Sequence, residues 1–320
     1  MRRLNDDRGA VGVFTAIVIV VLLGMVGLTI DAGALYRERH ELRNGADAAA
    51  LAIAEACAFE EPDCASGPAW SLARSYASAN ASDGTADVID VDLDFAARTV
   101  TVHTATLTPG GSTLFEPYFA SVVGFDGTTV HAQATAEWGH PRRLRATLPL
   151  IISECEFPTE GPLPTPPVVL YFHDGNNAEP CNAHAGQDAD GDGFLPGGFG
   201  WLDTPGGCEV QLTSGTWSFA DPGSSPANGC TPAYLASLLS DPVPLPFFDD
   251  ILGQGSGGEY RIAGFGMFQI TGYNFGGQFK VDPPCSGDQR CVSGYFTTGI
   301  VYEGDFGGED HGIVIVRLTG

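Results

Sequence analysis

The residues best suited to metal chemistry form one run, Asp188-Ala189-Asp190-Gly191-Asp192-Gly193-Phe194. Carboxylates at every second position can converge on a hard cation when glycines let the backbone curl around it. Asp188, Asp190 and Asp192 take the first, third and fifth positions of a calcium loop, and the Phe194 carbonyl supplies a backbone ligand. The twelfth position is Phe199 where a bidentate glutamate is usual, so Asp203 becomes the replacement ligand. The reading is a Ca2+ ion in a structural role. The competing reading is an acidic Asp-Gly turn without metal. His173, Cys181 and His184 would be the donors of a zinc site, but their spacing fits no established pattern.

Catalytic signatures are missing. There is no GxSxG elbow, no HExxH helix and no GxxxxGK[ST] loop, and no spacing nominates a Ser/His/Asp triad. The chain therefore reads as non-enzymatic, with no small-molecule substrate and no cofactor beyond the calcium candidate. The charge balance excludes another class. Asp and Glu number 39 against 15 Lys and Arg, a net charge of -24, which leaves no basic face for nucleic acid. Residues 146–320 hold 21 of the acids and only 4 of the bases. With 43 Gly and 22 Pro, a mainly helical protein is also excluded.

The elements that must position these residues begin with an uncharged stretch, Gly9–Ile30, closed by Arg8 and Asp31. Its 22 residues would span about 33 Å as a helix, enough for a hydrocarbon core of about 30 Å. A cleaved signal peptide is the alternative, but the stretch is too long and no small-x-small site precedes Asp31. All eight cysteines follow it, and an even number fits disulfides in an oxidising compartment. That places residues 1–8 in the cytoplasm as a tip, residues 9–30 in the membrane and residues 31–320 outside. Cys57 with Cys64 and Cys285 with Cys291 read as local loops. Cys155, Cys181, Cys208 and Cys230 supply two further bridges whose pairing stays open.

Residues 31–64 read as a stalk helix rich in alanine, with Ala48, Ala49 and Ala52 offering a small-residue face for close helix packing with a partner. A small α+β unit is expected over residues 65–140. It starts with a helix near Trp70–Ala79. Strands follow, marked by Ile89, Val91, Leu93 and Phe95 alternating with Asp90, Asp92 and Asp94. Residues 112–123 read as a helix with Leu114, Phe115, Phe119 and Val122 on its apolar face. Residues 141–320 read as β-rich, loop-rich and disulfide-containing, with a break near Gly264 or Gly266. Phe265, Phe268, Tyr273, Phe275 and Phe279 are assigned to a sheet core. The fold class is thus α+β, led by a transmembrane helix.

The runs Arg8-Gly9-Ala10, Asp31-Ala32-Gly33-Ala34-Leu35-Tyr36 and Glu41-Leu42-Arg43-Asn44-Gly45-Ala46-Asp47-Ala48-Ala49-Ala50-Leu51-Ala52 together resemble the TadE/G-like membrane proteins of bacterial Flp (tight adherence) pilus-assembly loci. The resemblance covers about residues 8–55 and rests on Gly9, Asp31, Gly33 and Asp47. It implies a bacterial plasma (inner) membrane protein with its N-terminus inside and a variable exported body. The implied role is pilus assembly or envelope attachment, with membrane lipid and other envelope proteins as partners. No Asp-x-Ser-x-Ser ligand motif of a von Willebrand type A domain is present. The position where related pseudopilins carry a processing glutamate is Phe14. The alternative function is a calcium-stabilised extracellular binding module presented on a single-pass anchor.

Overall fold

The apolar stretch and the alanine-rich stretch beyond it form one unbroken helix, α1 (Arg8–Ala58), in a computed structural model that describes residues 8–59, 64, 66–158, 162–172, 197–253 and 257–319. At 1.5 Å per residue its 51 residues extend about 75 Å. From Val11 to Ile30 every residue except Gly27 is exposed, and the helix is long and apolar enough to cross a membrane. The described residues divide into two compact units, one reaching to Trp138 and including the chain end from Arg317, the other Gly139–Val316.

In the first unit the C-terminal half of α1 is one wall of an α+β core. Leu42, Ala46, Ala49, Ala50, Ile53 and Ala54 are buried. The opposing wall is α2 (Ser66–Asn80), which buries Ala69, Ala73 and Ala77. Small side chains on both helices let the backbones approach closely. A Cβ built on Gly45 would lie 3.0 Å from the Ala77 Cα and 3.2 Å from its carbonyl oxygen. The turn that follows α2 is also tied to α1: the Ser82 amide donates to the Glu41 carboxylate at 2.9 Å.

Three antiparallel strands complete the unit, β1 (Asp87–Asp94), β2 (Thr99–Ala105) and β3 (His131–Gly139). Val100, Val102 and Thr104 of β2 are buried at every second position. The Thr104 hydroxyl donates to the Leu42 carbonyl at 3.0 Å, pinning the sheet to α1. β1 leaves Asp90, Asp92 and Asp94 exposed, and the Asp94 carboxylate accepts from the amides of Ala96 and Ala97 to make the reversal. The chain end returns beside β3, where Arg317 Nε pairs with Glu137 at 2.6 Å and the Thr319 amide donates to the Thr135 carbonyl.

One expectation fails here. Residues 112–123 are not a helix. Only Ala120–Val123 make a 3-10 turn, preceded by irregular backbone in which Phe115 bridges to Thr128. Pro117 removes an amide that an α-helix would use and restrains the residue before it. Leu114, Phe119 and Val122, expected to face a core, are exposed.

The second unit is β-rich. Its strands in chain order are β4 (Pro141–Ala146), β5 (Leu150–Ser153), β6 (Val168–Tyr171), β7 (Phe199–Trp201), β8 (Val210–Thr213) and β9 (Trp217–Phe219). After a one-turn helix, α3 (Pro232–Ser237), come β10 (Val243–Leu252), β11 (Glu259–Gly276), β12 (Phe279–Val281), β13 (Cys291–Thr297), β14 (Gly299–Val301), β15 (Asp305–Phe306) and β16 (Ile313–Leu318). The main sheet runs β6-β13-β11-β10-β5-β7, with β9 and β12 also on β11. A smaller sheet runs β15-β4-β8, and β14 pairs parallel with β16 through Ile313–Ile315.

The expected break near Gly264 or Gly266 does not occur, because β11 continues through both. These glycines serve packing instead. A Cβ at Gly266 would lie 2.5 Å from the Phe247 ring, and one at Gly264 would lie 2.9 Å from the His311 ring. Phe265, Phe268, Tyr273 and Phe275 are buried, and Phe279 packs partly buried against the same core. Tyr273 stacks on Phe275, which also meets Phe199 and Trp201 edge to face. Such ring pairs contribute about 0.5–1.5 kcal/mol each beyond the area they bury.

Gly45→Val should destabilise the full chain in detergent by about 1–3 kcal/mol, because the clash is with backbone atoms of Ala77 that cannot step aside. Gly33→Ala meets open space and should be neutral or stabilising by up to about 1 kcal/mol. Thermal melts of the two variants beside the parent check both.

Candidate functional site

Asp31 is the first ionisable residue after the apolar stretch of α1, and it is buried. Its carboxylate accepts from three consecutive backbone amides. Tyr118 donates to Oδ1 at 2.7 Å, Phe119 lies 3.2 Å from Oδ1 and 3.0 Å from Oδ2, and Ala120 donates to Oδ2 at 2.6 Å. These amides head the 3-10 turn Ala120–Val123 and would otherwise have no intrahelical partner. An anionic acceptor makes such bonds roughly twice as strong as neutral ones. One turn back along α1, Gly27 is the only buried residue between Val11 and Ile30. A Cβ there would lie 2.9 Å from Cγ of Phe119, so the ring sits directly on helix backbone.

The other residues of the family-like segment fall at different places on α1. Gly9 lies in its first turn. Gly33 is exposed with open space around it. Asp47 accepts from Arg43 Nε at 3.2 Å along the helix face. Ala49 is buried in the helix pair, while Ala48 and Ala52 are half-buried. On the same unit an open groove of 630 Å³ is lined by Tyr36, Arg39, His40, Arg43, His103 and His131 among others. Its cationic and imidazole side chains would suit an anionic group. Asp47 already neutralises part of Arg43, and Asp90 stands opposite His103 in the strand register.

In the second unit the calcium candidates Asp188, Asp190, Asp192 and Phe194, together with Cys181, His173 and His184, lie outside the described residues. Asp203 is described. Its amide donates to the Phe219 carbonyl and the Asp221 amide donates to the Trp201 carbonyl, so the two aspartates flank one bridge. Burial, and after it the Asp203 charge, raise the Asp221 pKa above the usual carboxylate range, against a backbone hydrogen bond at Asn228.

Cysteines close three local loops: Cys57–Cys64 at the end of α1, Cys208–Cys230 and Cys285–Cys291. Cys155 is also disulfide-bonded, and none of the described cysteines is free. Each bridge contributes about 2–4 kcal/mol by restricting the unfolded chain.

Sequence reasoning missed one cluster. Glu154, Glu309 and His311 bring their ligand atoms within 4.8 Å of one another. The His311 ring meets Phe157 and Phe247 at 5.2 and 5.4 Å. Its Nδ1 is buried without a hydrogen-bond partner. The imidazole thus lacks the acceptor on its second nitrogen that usually orients a ligating histidine, while its Nε2 lies 3.8 Å from the Glu154 carboxylate. No spacing in the sequence signals the cluster, since Glu154 is far from the other two.

Residues 9–56 match the Tad family, described as Flp pilus-assembly TadE/G-like. The matched segment covers most of α1, including Asp31 and Asp47. That family is non-enzymatic, which bears on this segment alone. No match was found among the curated proteins or the solved structures.

Asp31→Ala should leave the amides of Tyr118, Phe119 and Ala120 without their acceptor and lower the local opening free energy of this turn by about 1–3 kcal/mol. Hydrogen exchange at those amides measures it, with Asp31→Asn intermediate. A second expectation concerns pH. Because the folded-state pKa of Asp221 is raised, the folded chain holds that proton more tightly than the unfolded chain does. This contribution to stability is present in acid and is lost as pH rises through the raised value. Asp221→Asn should therefore raise the melting temperature at pH 7, with the gain vanishing at pH values below about 3.9.

Proposed function

We propose that this chain is a non-enzymatic, single-pass membrane component of a bacterial Flp pilus-assembly or cell-envelope system. The observation that carries the reading is the coincidence of the family match with α1. The matched residues 9–56 contain both the exposed apolar stretch and the alanine face that holds α2. In this reading the N-terminal tip is cytoplasmic, and residues 31–320 form an exported body of bacterial plasma-membrane topology. The disulfides Cys57–Cys64, Cys208–Cys230 and Cys285–Cys291 support that orientation, because such bridges persist in oxidising compartments. The excess of acids in residues 146–320 suits a soluble surface facing water.

Lipid surrounds the apolar stretch, and envelope proteins are the partners of α1 and the unit it supports. Gly12 and Gly24 of the apolar stretch have open space where a Cβ would stand, which leaves room for a second helix to approach in the membrane.

The test is a topology and partner measurement on the full chain in a bacterial membrane. Protease added outside the plasma membrane should degrade the body and leave only a short N-terminal fragment protected. Affinity capture from solubilised membranes should recover pilus-assembly proteins. Protection of the body, or its release from membranes by high salt, would overturn the anchor and its orientation. Capture of no envelope protein would overturn the assembly role.

A further inference from the structure

We infer that Leu114–Phe125 is a second membrane contact: a loop that Asp31 holds against α1 so that its apolar side chains enter the outer face of the same bilayer that the helix crosses. The inference rests on the reading of α1 as a membrane-spanning helix, and everything in it lies within the first unit.

The loop is unusual for a surface segment. Leu114, Tyr118, Phe119, Val122 and Phe125 are all exposed, Val122 to 87% and Tyr118 to 70%. Pro117–Phe125 contains no charge, and the acids Glu116 and Asp126 stand at its two ends. Contiguous exposed apolar surface of this kind marks a contact with another apolar phase.

Position identifies that phase. The Phe119 ring lies on Gly27, which belongs to the apolar stretch and not to the polar half of the helix. Gly27 precedes Asp31 by four residues, so the ring sits about 6 Å along the axis on the membrane side of that carboxylate. A side chain at that level beside a membrane-spanning helix is beside lipid as well. Tyrosine is enriched where headgroups meet acyl chains, and phenylalanine and leucine supply the apolar face of segments that bury into that boundary.

The backbone of the loop is prepared for such a place. Irregular backbone is not tolerated against lipid in the hydrocarbon core, so the loop belongs at the headgroup level, where paired amides still lower the cost of leaving water. The amides of Tyr118, Phe119 and Ala120 give to Asp31. Those of Val122, Gly124 and Phe125 give to Phe119, Ser121 and Ala120 carbonyls, and Phe115 and Thr128 exchange both of theirs. Asp31 enters the same account. Its charge is tolerated in a buried position because three amides face it, and those amides are tolerated because the charge is there.

The experiment uses the full chain in nanodiscs of phosphatidylethanolamine and phosphatidylglycerol. A photoreactive benzoylphenylalanine is placed in turn at Leu22, Val122, Phe125 and Ile89. Ile89 is the control, since it is exposed and apolar but lines the groove beside Arg39 and Arg43, beyond the apolar stretch. Lipid adducts should form at Leu22, Val122 and Phe125, with Ile89 lower by several-fold. Adding Asp31→Ala should reduce the Val122 adduct several-fold and leave that of Leu22 unchanged. Adducts at Leu22 with Val122 no higher than Ile89 would overturn the loop contact while sparing the membrane span. Val122 joined mainly to a second copy of the chain would overturn it in favour of self-association. An unlabelled Leu22 would defeat the spanning helix and the loop contact together. A Val122 adduct indifferent to Asp31→Ala would overturn the holding role of that carboxylate.

Discussion

The first unit depends on how one carboxylate is housed. Asp31 stands where the helix leaves its apolar stretch, and it is met by the amides of residues 118–120, far along the chain. An aspartate at this point could simply have been solvated. Instead it closes a loop between the start of the unit and the segment linking β2 to β3. Desolvating the charge is costly, and three short hydrogen bonds to it are the offset. Gly27 is the geometric partner of this arrangement, since only a residue without a side chain lets Phe119 approach the helix backbone.

The continuity of α1 is the second constraint. No proline or cap interrupts it between Arg8 and Ala58, so the apolar part and the part packed on α2 belong to one continuous helix. The alanines of its C-terminal half do double duty. They have the highest helix propensity, which sustains so long a helix, and their size permits the close contact with α2. The disulfide Cys57–Cys64 then fixes the end where fraying would start.

Much of this was legible in residues. The uncharged Gly9–Ile30 stretch marked a helix long and apolar enough to cross a membrane, alternation with Asp90, Asp92 and Asp94 located β1, and Cys57 and Cys285 had partners a few residues away. The aromatic run around Phe265–Phe275 reads as core because its members recur among glycines that let rings approach. Two features were hidden for definable reasons. Leu114, Phe115, Phe119 and Val122 carry helical spacing, but spacing cannot say that Pro117 breaks the ladder or that Leu114, Phe119 and Val122 are exposed. The partner of Asp31 was invisible because backbone amides have no sequence signature. Gly264 and Gly266 read as breaks because a glycine that admits a ring from a neighbouring strand looks the same as one that bends its own.

The exposed acids of β1 have a consequence for assembly. β1 is the outer strand of its sheet among the described residues, and an outer strand offers unpaired backbone groups to any passing strand. Asp90, Asp92 and Asp94 recur on it at every second position, so two copies brought edge to edge would set carboxylates against carboxylates. Strand addition needs only backbone hydrogen bonds, so an uncharged edge in this place would be an open site for sheet extension. The charged edge therefore disfavours the pairing of two β1 strands, whatever brings them together.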